Sequence, residues 1–283
     1  MIISKTPYRI SFFGGGSDYP IWYKKNGGSV LSTTIDKYIY ISCRSLPSFF
    51  KHKYRIVWSH IETVKTLNQI KHKAVREMLK KHKIHKGLEI HYDGDLPARS
   101  GMGSSSVFVV GLMNLLTHFK GSSINKRQLA NKSIFFEQKT LKEIVGSQDQ
   151  IASAFGGFNK IIFNANGSYK VHPFSINKKN ILKLNKNLLL VYTGQKRTAH
   201  HIAKSYVNDL TGKKKNHIIK ILNFVKDAEN ILKNGDVDDF GSLLHESWLE
   251  KRLLSSSITN NKIDDIYKEA INRGAIGGKL LGA

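Results

Sequence analysis

Cysteine is almost missing from this sequence: Cys43 stands alone among 283 residues. One thiol excludes an internal disulfide and fits a reducing compartment. Long apolar runs are missing as well. No stretch approaches the ~18 apolar residues of a membrane span, and "MIISKTPYRI" lacks the apolar core of a secretory signal. The expectation is a cytoplasmic protein with no membrane partner. Acidic residues are scarce, 21 against 45 Lys and Arg, for a formal charge of +24. Such an excess favours nucleic acid, anionic surfaces or phosphorylated small molecules. The lysines are scattered beside asparagine and isoleucine, however, as on a solvated surface. A nucleic-acid-binding module would show one continuous basic face with interleaved aromatics; no nucleic-acid partner is expected.

What is present suffices for one large or two ordinary domains, since 40% of the chain is apolar. Ser29 to Cys43 is rich in β-branched and aromatic residues and reads as strand, as does "LEIHYDGDLP". Ile61 to Lys83 has apolar residues near helical spacing and a basic outer face, predicting one amphipathic helix. Val107 to Phe119 is apolar almost all round, which predicts a helix buried on most sides. A second helix is expected from Lys126 to Ile144, ended by Gly146. "FNKIIFNANGSYKVHPF" reads as a hairpin turning at Asn166-Gly167. A linker from Asn177 to Asn187 then leads to "LLLVYTG", a buried strand, and to helices at Lys213–Lys233, Val237–Leu254 and Lys262–Arg273. The linker places a domain boundary, giving units 1–177 and 178–283.

Chemistry concentrates first in "DLPARSGMGSSSVFVV", where two glycines and three serines precede the apolar helix. Backbone N–H groups of "GMGSSS" and the positive helix end make an anion site, and serine hydroxyls there can meet phosphate or magnesium. No Gly-Lys-Ser/Thr follows, so the loop is not a Walker A sequence. Ser106 stands where the dinucleotide pattern needs its third glycine. His82 and His85, or His200 and His201, lack the companions of a zinc site. Only the second pair is a candidate neighbour of a substrate phosphate.

"TPYRISFFGGGSDYP", the serine loop and "GAIGGKLLGA" resemble, in order, the three motifs of the GHMP kinases. Within that superfamily the resemblance runs to D-glycero-D-manno-heptose 7-phosphate kinases, through "GGGSDYP", "VGSQDQIASAFGG", "YTGQKRTAHHI", "WLEKRLLSSSIT" and the final turn. It implies an α+β fold with an S5-like N-terminal domain and a ferredoxin-like C-terminal one. It implies ATP and Mg2+ as cofactors and transfer of the γ-phosphate to the anomeric hydroxyl of the heptose 7-phosphate. The route served would supply GDP-activated heptose for surface polysaccharide. A kinase of an unphosphorylated sugar such as fucose is the enzyme alternative.

The same resemblance distributes the roles. Pro97 and Gly101, Met102, Gly103, Ser104, Ser105 and Ser106 would cradle the nucleotide phosphates. Ser105 and Glu137 would hold the metal. Asp149 would meet the attacking hydroxyl, and Arg9 would pair with it or bind the acceptor oxygen. Gly15, Gly16, Asp18, Tyr19 and Gly156 would shape the sugar site, with Lys196 and Arg197 on its phosphate. Galactokinases carry Glu-His where Gly15 and Gly16 stand, and losing that carboxylate removes repulsion of a second phosphate. The family's final turn continues into a further strand and helix. A truncated C-terminal domain is therefore expected, with reduced activity and an open edge that a second copy of the chain, a homodimer, would cover.

Overall fold

The computed structural model describes residues 1–195, 197 and 199–282, the side chains of 199–201 excepted. Its frame is a seven-stranded, mostly antiparallel sheet. Strand β1 (Ile2–Phe13) and the long β2 (Gly28–Ser45) pair antiparallel on either side of a short helix, α1 (Pro20–Asn26). The other edge of β2 is shared. Its C-terminal half pairs β5 (Leu88–Gly94), and its N-terminal half pairs β6 (Phe158–Phe163). Beyond β5 lie β3 (Tyr54–Val57), the one parallel neighbour, and β4 (Ile61–Val64). β7 (Tyr169–Pro173) closes the other end as the expected hairpin, with Gly167 at φ 84° in the turn.

Helix α3 (Ser104–Phe119) lies across β1 and β2 and is buried on nearly every side, as its composition requires. α2 (Lys73–Lys81), α4 (Lys126–Phe135) and α5 (Gln148–Phe155) pack beside it or near it. The remaining helices are α6 (Lys178–Asn187), α7 (Ala199–Lys204), α8 (Lys215–Asn234), α9 (Val237–Arg252) and α10 (Asn261–Asn272). Phe12, Phe13 and Leu31 of the sheet form one apolar cluster with Leu184, Val225, Ala228 and Phe240 of these helices. The rings of Phe12 and Phe240 meet edge to face at 5.2 Å. That core crosses the expected boundary at residue 177. No described helix is long and apolar enough to cross a membrane.

Four expectations need correction. The helix expected over Ile61 to Lys83 is only α2; Ile61–Val64 is strand, because it pairs β3. Between them the buried Glu62 carboxylate accepts the backbone N–H of Lys71 and, at 3.1 Å, that of His72. The helix expected to reach Ile144 stops regular winding at Phe135 and widens into a π turn over Phe136–Thr140. The supposed linker is α6, capped by the Asn177 side chain, which accepts from Asn180 N–H at 2.8 Å. Finally, "LLLVYTG" is neither strand nor buried: Leu189 is 85% exposed. From residue 178 onward the described residues form helices and irregular segments, so the second sheet of a ferredoxin-like domain is not formed. A strand exists only where a neighbour takes its backbone N–H and C=O groups, and this segment has none beside it in the sheet.

One polar cluster on the sheet yields a stability prediction. Glu89 of β5 stands directly opposite Arg44 of β2 and Arg55 of β3, and it is 2% exposed. Arg44 Nε donates to it at 2.6 Å, His91 Nε2 lies at 2.8 Å, and Arg55 also pairs with it. Burial pushes this carboxyl up, but the hydrogen bonds from His91, Arg55 and Arg44 outweigh it and hold it at about 2. The folded value lies below the ordinary 4.5. The contribution is therefore present above pH ~4.5 and is lost as pH falls toward ~2. Glu89→Gln should cost about 1–3 kcal/mol at pH 7, moderated because both arginines reach water. It should also flatten the acid limb of a melting-temperature profile. An unchanged acid limb would refute this account.

Candidate active site

Two glycines set the shape of the serine loop. Gly101 and Gly103 have φ of 80° and 75°, where a side chain is strained. Space is short too: a Cβ on Gly101 would lie 2.4 Å from the Leu281 carbonyl oxygen, and one on Gly103 3.0 Å from Asp149 Oδ2. Each serine behind them does something different. Ser104 Oγ accepts the Arg99 N–H at 3.1 Å and closes the loop. Ser105 is exposed toward the cavity. Ser106 is buried and donates to Glu137 Oε1 at 3.1 Å. Successive helical residues are turned by about 100°, so Ser106 meets Glu137 while Ser105, the expected metal-side serine, faces the cavity.

Three carboxylates surround this loop in different environments. Arg9, 4% exposed, grips Asp149 with two bonds of 2.7 Å and holds the Gly101 carbonyl at 3.0 Å. One guanidinium thus fixes both the carboxylate at the start of α5 and the loop. Asp18 accepts the N–H groups of Gly16 and Gln148, at 3.1 and 3.3 Å. Burial first, then the nearby Asp149 charge, raises Asp18 to about 6. Only glycine fits at 146, where a Cβ would collide with Asp18 Oδ2 at 1.9 Å. Glu137, in the π turn, is fully buried and raised by that burial to about 8; the bonds from Gln150 and Ser106 offset only part of it. π turns recur at functional sites.

A cavity of about 600 Å³ opens between Arg9, Asp18, Asp149 and the serine loop; Glu137 is buried behind it, outside the lining. Of the expected site residues, Arg9, Gly15, Gly16, Asp18, Tyr19, Gly101, Gly103, Ser104, Ser105, Ser106, Asp149 and Arg197 line it. Pro97 is exposed outside it, Met102 is packed into the core, and Gly156 ends α5 with nothing near its missing Cβ. Lys196 lies outside the described residues. The Arg197 fork is engaged, donating at 2.7 Å to the Ile258 carbonyl and at 2.6 Å to that of Ser257. Ser11 Oγ, Ser100 Oγ and Gln148 Oε1 line the cavity as well, buried and without a protein partner. Such orphaned polar atoms suit a polar ligand.

Sequence reasoning also missed residues. Lys251 of α9 holds the Leu280 carbonyl at 3.0 Å and that of Gly282, and Lys279 holds the Phe12 carbonyl at 2.7 Å. Both lysines lie within quoted motifs, yet nothing in a lysine-rich sequence marks these two. Ser106 lines the cavity, whereas Glu137 stands behind it with its oxygens taken up by Ser106 and Gln150, so a divalent cation would reach Glu137 only by displacing those bonds. Mg2+ takes one or two carboxylates, keeps waters and completes its shell with substrate phosphates, and no cluster of three His, Cys, Asp or Glu side chains stands ready for a fully protein-bound metal among the described residues.

Residues 68–157 match the GHMP kinases N terminal domain. The chain is 27% identical over its whole length, and 86% of the relative's, to the D-glycero-alpha-D-manno-heptose 7-phosphate kinase of Campylobacter jejuni. It is 23% identical over its whole length to the L-fucokinase/L-fucose-1-P guanylyltransferase of Bacteroides fragilis, covering 33% of that protein. A crystal structure of a D-glycero-D-manno-heptose 1-phosphate kinase from Bacteriodes thetaiotaomicron superposes with a TM-score of 0.80 at 24% identity, covering 100% of this chain and 86% of that one.

Proposed function

We propose that the chain is a sugar kinase of the GHMP kinase family, whose N-terminal domain residues 68–157 match, and that its acceptor is D-glycero-D-manno-heptose 7-phosphate, phosphorylated by ATP at the anomeric hydroxyl. The observation that carries this reading is the position of Asp149. Its carboxylate is clamped by Arg9 and lies against Gly103, at the mouth of the phosphate loop. A proton-accepting group and a phosphate cradle that share one wall are the two things phosphoryl transfer asks of a protein.

The residues then divide the work. N–H groups of Gly101 to Ser105 and the start of α3 face the nucleotide phosphates and favour their negative charge. Glu137 and Ser106 would hold Mg2+, whose chemistry when bound is to neutralise charge on the phosphates. Asp18 accepts hydrogen bonds from sugar hydroxyls. Asp149 orients the acceptor hydroxyl and takes its proton, while Arg9 keeps the carboxylate aimed. ADP release with Mg-ATP against a panel of hexoses, heptoses and their phosphates tests the assignment. Turnover of free sugars alone would replace the heptose phosphate.

Arg197 is the proposed partner of the heptose 7-phosphate. Two of its five N–H donors hold Ile258 and Ser257, and the others remain for an anion. Arg197→Ala should raise KM for the phosphorylated sugar about 10–150-fold, the value of a lost charge-assisted bond, with little change for ATP. The engagement of that fork, with the fucokinase relative, favours a second reading: an unphosphorylated acceptor such as fucose, with Arg197 a clamp on the 256–258 turn. Equal KM effects on sugar and ATP would support that second reading.

A further inference from the structure

Positive charge gathers on one wall of the cavity without an answering carboxylate. Lys251 and Lys279 both line it, as does Arg197. The charged groups that act on Lys251 are Lys279, Arg197 and Arg9, every one a cation. Of these, only Arg9 is neutralised, by Asp149. Backbone carbonyls aim the others: Leu280 and Gly282 hold Lys251, Phe12 holds Lys279, Ile258 and Ser257 hold Arg197. Carbonyls orient an ammonium without cancelling its charge. Each ammonium has three donors, so Lys251 keeps one N–H free of these bonds and Lys279 two. Burial, and then Arg9, draws Lys279 down to about 8; burial and then the neighbouring cations draw Lys251 well below the ordinary lysine range. Protonation of the two lysines is therefore opposed by burial and by neighbouring cations, a cost that a bound dianion removes.

We infer that Lys251 and Lys279, with Arg197, form a phosphate-dianion site on the cavity wall built from α9 and the 277–282 segment. The dianion is either the acceptor's own phosphate or the terminal phosphate of the nucleotide. The inference rests on the kinase reading for its source, but not for its chemistry. It differs from a role in which the lysines merely strap the C-terminal segment to α9 and β1. A strap affects stability, whereas an anion site sets phosphate affinity.

The test uses the full chain and inorganic phosphate as the probe, by calorimetry and by the phosphate-induced rise in melting temperature at constant ionic strength. Lys251→Met and Lys279→Met are each expected to weaken phosphate about 10–150-fold. Lys226→Met, which removes an exposed charge on α8, should leave affinity unchanged. If Lys251→Met folds poorly, Lys251→Gln keeps donors for the carbonyls, removes the charge, and must show the same loss. Steady-state kinetics then identify the source. A rise in KM confined to the phosphorylated sugar assigns the site to the acceptor, and a rise confined to ATP assigns it to the nucleotide. Wild-type protein that binds no phosphate, or lysine variants that melt lower yet bind it equally well, overturns the proposal. If wild type turns over no sugar, the kinase reading fails and the phosphate titration still decides this site.

Discussion

Asp149→Asn should lower kcat by about 10²–10⁴-fold, the usual worth of general-base assistance, with little change in KM for ATP. The amide keeps the size of the side chain and one oxygen toward Arg9, but it cannot take a proton or pair ionically. Arg9 is 4% exposed and would be left without its anion, so a fall of about 1–3 kcal/mol in stability should accompany the loss. Single-turnover rates and thermal melts separate the two effects. Retention of more than half the activity would move the proton-accepting role to another group.

Glu137→Gln is the second large effect, and its sign depends on pH. The carboxyl is raised from 4.5 to about 8, chiefly by burial. Its contribution to stability is therefore complete below pH ~4.5 and is lost as pH rises through ~8, where the buried group must charge. The glutamine has no such slope. At pH 9 and without metal, Glu137→Gln should melt higher than wild type, by ~2–4 kcal/mol of stability, while the two converge below pH ~4.5. Activity should move the other way. With Glu137 as the proposed ligand, Mg2+ would have to displace its proton, so the wild-type response to Mg2+ should strengthen between pH 7 and 9, and the variant should lose most of it. A variant less stable than wild type at pH 9 would show that the carboxylate is already compensated inside the protein.

Much of the chain was legible because local rules agreed with the fold. Helices α3, α8, α9 and α10 lie within a few residues of their expected spans, and Asp236 and Asn260 cap α9 and α10 with their own side chains. The β6–β7 hairpin follows from alternating apolar residues around Asn166-Gly167. Legibility failed wherever the deciding partner was distant. Ile61–Val64 reads as helix until β3 pairs with it, and Leu188–Val191 reads as buried strand although no neighbour covers it.

The site divides along the same line. Sequence by itself determined the serine-rich loop, the glycines that permit its backbone, and the carboxylates and arginine available for chemistry. These are properties of residue type and short spacing: φ near +80°, a helix start, an acidic side chain in the first turn of α5. Tertiary structure alone decided which hydroxyl meets Glu137, that Arg197 grips the 256–258 turn, and that Lys251 and Lys279 reach the cavity. It also decided protonation, since Glu137 and Asp18 are raised by burial that no single segment creates. Local conformation depends on neighbours a few residues away. The ionisation of a carboxyl or an ammonium depends on every charge and every excluded water within several ångströms, and those arrive from helices and strands a hundred or more residues apart.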